Sequence, residues 1–233
     1  MQSPVAMILA AGRGERMRPL ADLIPKPLLE VAGKSLIQWQ VERLVAGGLP
    51  DIVINHAWLG EKIEAALGDG SRFGARIVYS AERDALETVG GIVHALPLLG
   101  NRPFVVTSGD VYTEYPYANL LPVVKALEAE FPRRAAHFVM ADNPPFHQRG
   151  DMAVKGGMAS MEGDKLNYSG IAVYHPALFG GFKGRVKMKL FPWAFQFVRE
   201  GKVSAEHFSG RWDNIGTPTQ LEALNRQLSQ SMV

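Results

Sequence analysis

The chain has 233 residues, 47% of them apolar and 21% charged, with a formal net charge of +2. This suits one globular α/β domain that buries its own core, and the charge is too small to mark a nucleic-acid partner. With no cysteine in the chain, disulfides, thiolate zinc sites and cysteine nucleophiles are excluded.

Val5 to Ala11 is a continuous apolar run ended by Gly12 and Arg13. It is too short for a signal peptide, or for a membrane helix of roughly 20 apolar residues. The expectation is a cytoplasmic protein with no membrane partner. The run reads instead as a strand buried on both faces. Leu36, Ile37, Val41, Leu44 and Val45 fall at helical spacing, with Gly47-Gly48 as the stop. A strand over Asp51 to Asn55, a helix over Leu59 to Leu67 and a strand over Ala75 to Tyr79 follow. Gly90-Gly91 opens a helix from Gly91 to Leu99. Phe104 to Thr107 is a third buried strand, Leu120 to Phe131 a helix and Ala136 to Met140 a strand.

The later part is less regular. Met152 to Lys155, Tyr168 to Tyr174 and Val203 to Phe208 read as strands, and Phe191 to Arg199 as a short helix behind Pro192. Thr217 to Leu228 reads as a closing helix with Thr217 as N-cap and Pro218 in its first position. The alternation implies a Rossmann-like doubly wound α/β fold. Its mostly parallel, mixed sheet carries helices on both faces. Residues 1–233 form a single domain, in which 143–233 supplies one wall of a site built on 1–142. Ligands in such folds sit beyond the carboxyl ends of the strands, so the residues after Ala10, Asn55, Tyr79 and Thr107 are the ones to inspect.

After the first strand the chain reads Ala10-Ala11-Gly12-Arg13-Gly14-Glu15-Arg16-Met17-Arg18-Pro19. Gly12 and Gly14 allow a tight turn whose backbone N–H groups point inward, an anion-binding nest suited to triphosphate oxygens. Arg13, Arg16 and Arg18 add charge, though three arginines cannot all face one ligand. A dinucleotide fingerprint fails because its third glycine position holds Met17, and a Walker A loop ending at Gly33-Lys34-Ser35 fails at Leu28. Gly33 to Ser35 is instead the turn into the helix near Leu36. Pro25-Lys26-Pro27 stiffens the backbone around a lysine, which leaves less entropy to lose on binding phosphate.

This pairing of L-A-A-G-x-G-x-R-M-x-P with P-K-P resembles the sugar-phosphate nucleotidyltransferase family, and the resemblance continues along nearly the whole chain. Within the family, Ile54 to Gly60, Leu67 to Gly74 and Leu86-Glu87-Thr88 are similar to the bacterial branch that transfers uridylyl to N-acetylmuramate α-1-phosphate. The resemblance implies an enzyme that joins an NTP, UTP in that branch, to a sugar 1-phosphate with release of pyrophosphate. The alternatives are the same chemistry on another pair, such as mannose 1-phosphate with GTP or a heptose phosphate, and a non-catalytic nucleotide-sugar-binding regulator.

In-line attack on the α-phosphorus needs positioning and charge neutralisation more than covalent help. A hard cation with oxygen ligands suits this, hence Mg²⁺. Asp110, at the carboxyl end of a buried strand, is the leading metal ligand. Arg16 and Lys26 are the cations expected on triphosphate oxygens. The family's late metal motif W-x-D-[IV]-G-T reads Trp212-Asp213-Asn214-Ile215-Gly216-Thr217 here. That places Asn214 at the second ligand position and Asp213 on the opposite side of an extended segment. Ala10, Ala11, Gly12, Gly14, Glu82, Leu86 and Gly90 are expected at the nucleotide, with Val89 narrowing the pocket where the relative has glycine. Asn143, Asp151, Tyr168, Ser169 and Gly170 are expected on the sugar side. His56, His94 and His175 lack metal-ligand spacing and read as hydrogen-bonded structural residues. Phe191, Trp193, Phe195 and Phe197 read as core or subunit contact, with lining of the site near a lactyl or acyl group as the alternative.

Overall fold

A computed structural model describes residues 3–231. Strand β1 (Ala6–Leu9) leads through a helical turn α1 (Leu20–Leu23) to a hairpin of β2 (Glu30–Val31) and β3 (Lys34–Ser35). Next come α2 (Leu36–Ala46), β4 (Asp51–His56), α3 (Gly60–Leu67), β5 (Arg76–Ala81), α4 (Glu87–Leu99) and β6 (Phe104–Ser108). Then follow β7 (Val111–Thr113), α5 (Leu120–Glu130) and β8 (Ala136–Ala141). The later part holds β9 (Ala153–Lys155), β10 (Met158–Ser160), β11 (Asn167–Tyr174), α6 (Phe195–Arg199), β12 (Val203–Phe208), β13 (Trp212–Asn214) and α7 (Pro218–Ser231).

Nine strands form one sheet in the order β5-β4-β1-β6-β11-β8-β12-β10-β9. Neighbours among β5, β4, β1 and β6 run parallel, as do β8 and β12. Strand β11 lies antiparallel between β6 and β8, and β10 and β9 close the edge antiparallel. The sheet is therefore mixed and Rossmann-like, and the insertion of β11 ties the two parts of the chain into one layer.

The period of two along β1 sends alternate side chains to opposite faces. Ala6 and Ile8 join a core with Ile37, Val41 and Leu44 of α2, Ile63 of α3 and Val124 of α5. Met7 joins the other core, with Ile92 and Leu99 of α4 and Val198 of α6. Each fully buried branched or long apolar side chain contributes about 1.5–3 kcal/mol, which is why the continuous apolar runs became central strands.

Two helix starts differ from expectation by four residues each, Glu87 against Gly91 and Phe195 against Phe191. Helix α4 begins at Glu87, one turn before Gly91, because the backbone N–H of Val89 is already held by Met188 O at 2.9 Å. The stretch before Phe195 forms turns, so α6 is shorter than the aromatic run suggests. The N-cap of α7 forms as expected, with Gln220 N donating to Thr217 Oγ1 at 3.3 Å. Ser35 likewise caps α2, its Oγ accepting from Gln38 N at 3.3 Å; the turn itself is Ala32-Gly33, and Lys34–Ser35, expected as part of it, pair with β2 as β3. Among the described residues no helix is long and apolar enough to cross a membrane.

Candidate active site

A cleft of about 690 Å³ opens at the carboxyl ends of β1, β4 and β6. Its floor is the turn after β1. Leu9 to Arg16 line it, joined by Lys26, Asn55, Ser108, Asp110 and Gly216, with Ala85, Glu87 and Thr88 completing the wall. Seven expected residues thus meet in one place: Ala10, Ala11, Gly12, Gly14, Arg16, Lys26 and Asp110.

Glycine is required at 14. Its φ is +68°, and a Cβ there would come 3.0 Å from Lys26 Cβ. The close approach brings the P-K-P segment against the glycine-rich turn. Lys26 is buried, and its ammonium donates to Asp110 Oδ2. The cleft therefore carries a paired cation and anion on adjacent walls.

The three arginines divide as their crowding requires. Arg18 pairs with Asp22 at 2.8 Å. Arg13 lies over the Trp58 ring at 4.6 Å, a cation–π contact. Arg16 lies against Gly216, where a Cβ would come 3.1 Å from its guanidinium nitrogen. Arg16 has no carboxylate within ion-pair distance among the described residues.

Strand β13 pairs with β7 so that Asn214 sits opposite Val111, and Ile215 N donates to Asp110 O at 3.1 Å. The late motif is thereby brought beside Asp110. Asn214 Oδ1 is buried and has no hydrogen-bond partner among the described residues, an arrangement that normally needs a reason. Asp213 turns the other way toward Arg211, 3.6 Å distant. Burial raises its pKa, opposed by Arg211. Among the described residues no group of three or more His, Cys, Asp or Glu side chains could hold a metal. The donors available beside Asp110 are thus oxygens of one carboxylate and one amide, a set that fits a hard cation sharing its shell with phosphate.

A buried polar chain runs from the cleft wall inward, linking Ala10, Asn55, Glu82 and Leu86 by hydrogen bonds that no local sequence pattern marks. Ala10 N donates to Asn55 Oδ1 at 3.0 Å, and Asn55 Nδ2 donates to Glu82 Oε1 at 2.6 Å. Glu82 Oε2 accepts from Leu86 N at 2.8 Å. Burial pushes the Glu82 carboxyl above its ordinary range, with the Asn55 and Leu86 hydrogen bonds opposing. The expectation that Glu82 touches nucleotide is corrected: it is 6% exposed and both its oxygens are used. It ties the turn after β1 to the loop after β5. Leu86 is also buried and acts through its backbone. Gly90 faces away from the cleft, where a Cβ would come 2.2 Å from Val186 O. Val89 does not narrow the pocket, being fully buried in the core shared with α4.

Glu87, absent from the expected set, lines the cleft with φ +64°. A non-glycine residue held there costs roughly 1–2 kcal/mol. Its neighbours explain why it stays. Leu86 N is held by Glu82, Leu86 O by Met188 N at 3.0 Å, and Val89 N by Met188 O at 2.9 Å. The positive φ has no signal in the sequence, since the strap around Met188 lies a hundred residues away.

The expected sugar-side residues cluster at the ends of β8 and β11. Gly170, φ +82°, packs on Ser108, where a Cβ would come 2.6 Å from Ser108 Oγ. That contact puts the β11 bulge against the cleft wall. Ser169 is corrected as a side-chain ligand: its hydroxyl donates to Val139 O at 2.7 Å and is buried. Its carbonyl accepts from Trp212 Nε1 at 2.8 Å. Asp151 accepts from Tyr168 N at 2.8 Å and meets His147 Nε2 at 3.1 Å. Asn143 Nδ2 donates to Lys165 O at 2.7 Å while its Oδ1 is buried without a hydrogen-bond partner among the described residues. Tyr168 OH lies 3.4 Å from Tyr174 OH. These groups staple the loop over 142–151 to β11.

His56, His94 and His175 are each hydrogen-bonded within the fold. His56 meets Glu64 at 2.7 Å, His94 meets Ala81 O at 3.1 Å, and His175 Nδ1 accepts from Ala177 N at 3.2 Å. The aromatic run is half-buried and packs against the core around Met7, Phe191 stacking on Phe195 at 4.8 Å and Trp193 on Phe179 at 5.4 Å.

Residues 5–147 match the family described as nucleotidyl transferase. The chain is 45% identical to the N-acetylmuramate alpha-1-phosphate uridylyltransferase of Neisseria meningitidis serogroup B, over 93% of this chain and 95% of that one. It is 34% identical to the Caulobacter vibrioides enzyme of the same description, over 99% of each. In fold it is similar to a crystal structure of a putative glucose-1-phosphate thymidylyltransferase from Bacillus anthracis, with TM-score 0.82 and 20% identity, over 97% of this chain and 95% of that one.

Proposed function

The chain belongs to the nucleotidyl transferase family and is a sugar-1-phosphate nucleotidyltransferase; from that premise we propose that it joins UTP to N-acetylmuramate α-1-phosphate, releasing pyrophosphate, in the cytoplasm. The observation that carries the chemistry is the Lys26–Asp110 pair set against a glycine-lined anion nest in one cleft. The choice of substrates is supported by the 45% identical relative, which this chain matches along nearly its whole length.

In this reading the N–H groups of the turn from Ala11 to Gly14 bind the β- and γ-phosphates, and Arg16 adds two parallel donors beside them. Lys26 moves from Asp110 to phosphate oxygens as the triphosphate enters, so its buried charge is paired in both states. Asp110 and Asn214 hold a divalent cation, Mg²⁺ by the hardness of their oxygens. When bound, it neutralises charge on the α-phosphate and the leaving pyrophosphate. Residues 1–142 serve the nucleotide and residues 143–233 the sugar, with Gly170 and its neighbours Asn143, Asp151 and Tyr168 shaping the sugar wall.

The test is pyrophosphate release with Mg²⁺ and N-acetylmuramate α-1-phosphate, with UTP, GTP, CTP, ATP and dTTP run in parallel. UTP-dependent release is expected. Release with another base or another sugar 1-phosphate overturns the substrate assignment. No release with any pair overturns catalysis at this cleft in favour of nucleotide-sugar binding alone.

A further inference from the structure

Three carboxylates line the cleft: Glu15, Glu87 and Asp110. Asp110 is paired with Lys26. Glu15 shares its helical turn with Arg16, directly after the anion nest. Glu87 stands apart: its carboxylate is exposed and has no hydrogen bond or ion pair among the described residues. Its backbone is pinned on both sides, at Leu86 and Val89, so the side chain is not free to swing out of the cleft with a change of φ.

The strand order locates Glu87 relative to the rest of the site. β1 and its nest lie in the middle, β6 and β11 on one side, β4 and β5 on the other. Asp110 follows β6, and Gly170 of β11 packs on Ser108. The sugar phosphate therefore approaches from the β6 side, and the nucleoside is left the β4–β5 side, where the loop after β5 carries Glu87.

An ionised carboxylate only accepts hydrogen bonds. It repels phosphates and the two carbonyl oxygens that flank the single N–H of uracil. The ribose diol, by contrast, presents two adjacent O–H donors, a match for two carboxylate oxygens. We propose that Glu87 is a specificity-determining residue that accepts hydrogen bonds from the ribose hydroxyls of the nucleotide. This rests on the reading that the cleft takes a nucleoside triphosphate.

The test compares kcat/KM for UTP, 2′-deoxy-UTP and 3′-deoxy-UTP in wild type, Glu87→Gln and Glu87→Gly, with one sugar 1-phosphate throughout. Wild type is expected to favour UTP over each deoxy analogue by about tenfold or more, as for hydrogen bonds to a charged group. In Glu87→Gly the preference collapses to within about threefold, and Glu87→Gln falls between. Glycine suits φ +64° without strain, so this variant should melt no lower than wild type, which separates lost recognition from lost structure. Retention of the full ribose preference in Glu87→Gly overturns the assignment. So does a changed UTP-to-CTP ratio with the ribose ratio intact. If wild type shows no turnover with any pair, the catalytic reading fails by itself, and the same comparison is made by calorimetric binding of the three nucleotides.

Discussion

Replacing Glu82 by glutamine exchanges one oxygen for an amide nitrogen and removes the only arrangement that satisfies the polar chain behind the cleft. Both ends of that chain are backbone donors, Ala10 N and Leu86 N, and between them stand Asn55 and Glu82. Asparagine turns one donor into another, because it accepts at one end and donates at the other. A carboxylate then accepts from both sides. A glutamine accepts from one side only, so an N–H faces an N–H wherever the amides are flipped. Flipping Asn55 merely moves the conflict to Ala10, in the turn after β1. One charge-assisted bond is lost and one buried donor is left unpaired, together about 3 kcal/mol. Relief from burying a carboxylate, the cause of the raised Glu82 pKa, returns about 1 kcal/mol. The net expectation is a loss of about 2 kcal/mol, near thirtyfold in the folding equilibrium, read by urea unfolding at pH 7.5. The double variant Asn55→Asp/Glu82→Gln restores the alternation, since aspartate now accepts from both Ala10 N and the new amide. It should recover stability yet raise the KM for UTP, because residue 55 lines the cleft and would set a carboxylate beside the phosphates. A Glu82→Gln protein within about 0.5 kcal/mol of wild type, or a double variant no more stable than the single, would refute this account.

Asp110→Asn keeps the shape and removes the charge. Turnover should fall about a hundredfold or more, with cooperative unfolding retained; pyrophosphate release near the wild-type rate would dismiss Asp110 as the metal ligand. Asn214→Asp places a charge where an unpartnered buried oxygen now stands. The Mg²⁺ concentration for half-maximal activity should drop about fivefold, and an unchanged requirement counts against Asn214 as a ligand. His175 is stacked on Phe131 with ring centroids 3.9 Å apart, and burial lowers its pKa from 6.5. A base with a depressed folded pKa gives stability that is present above the unfolded value and lost as pH falls through the folded one. Protonation also removes the Nδ1 acceptor used by Ala177 N. Wild type should therefore lose stability below pH 6.5, and His175→Asn, which keeps an acceptor without titrating, should show a shallower slope. Equal slopes in urea titrations between pH 8 and pH 5 would remove His175 from the pH response.

The glycine-rich turn, the P-K-P lysine and Asp110 were legible because their signals are local. Two glycines within three residues dictate a tight turn, two prolines hold one lysine, and an aspartate ends an apolar strand. The sugar-side assignments came through resemblance, and the structure shows why residue type alone misled at Ser169 and Glu82. Both are polar residues next to a site, but their hydrogen bonds are made to distant backbone and side-chain groups. The hairpin β2–β3 and the strands β7, β10 and β13 are two or three residues long, too short for a period-two pattern to be recognisable.

By itself the sequence determined the periodic elements and the glycine-rich turn after β1, since helical spacing, apolar runs and turn glycines act through neighbours on the chain. Only the tertiary structure decided that Asn214 lies beside Asp110, that Glu82 works from behind the wall, and that Glu87 is pinned at positive φ in the cleft. Each depends on partners far apart in sequence, Val111 with Asn214, Asn55 with Glu82, and Met188 with Val89. Such pairings are fixed by strand order and packing, which no local pattern of residues records.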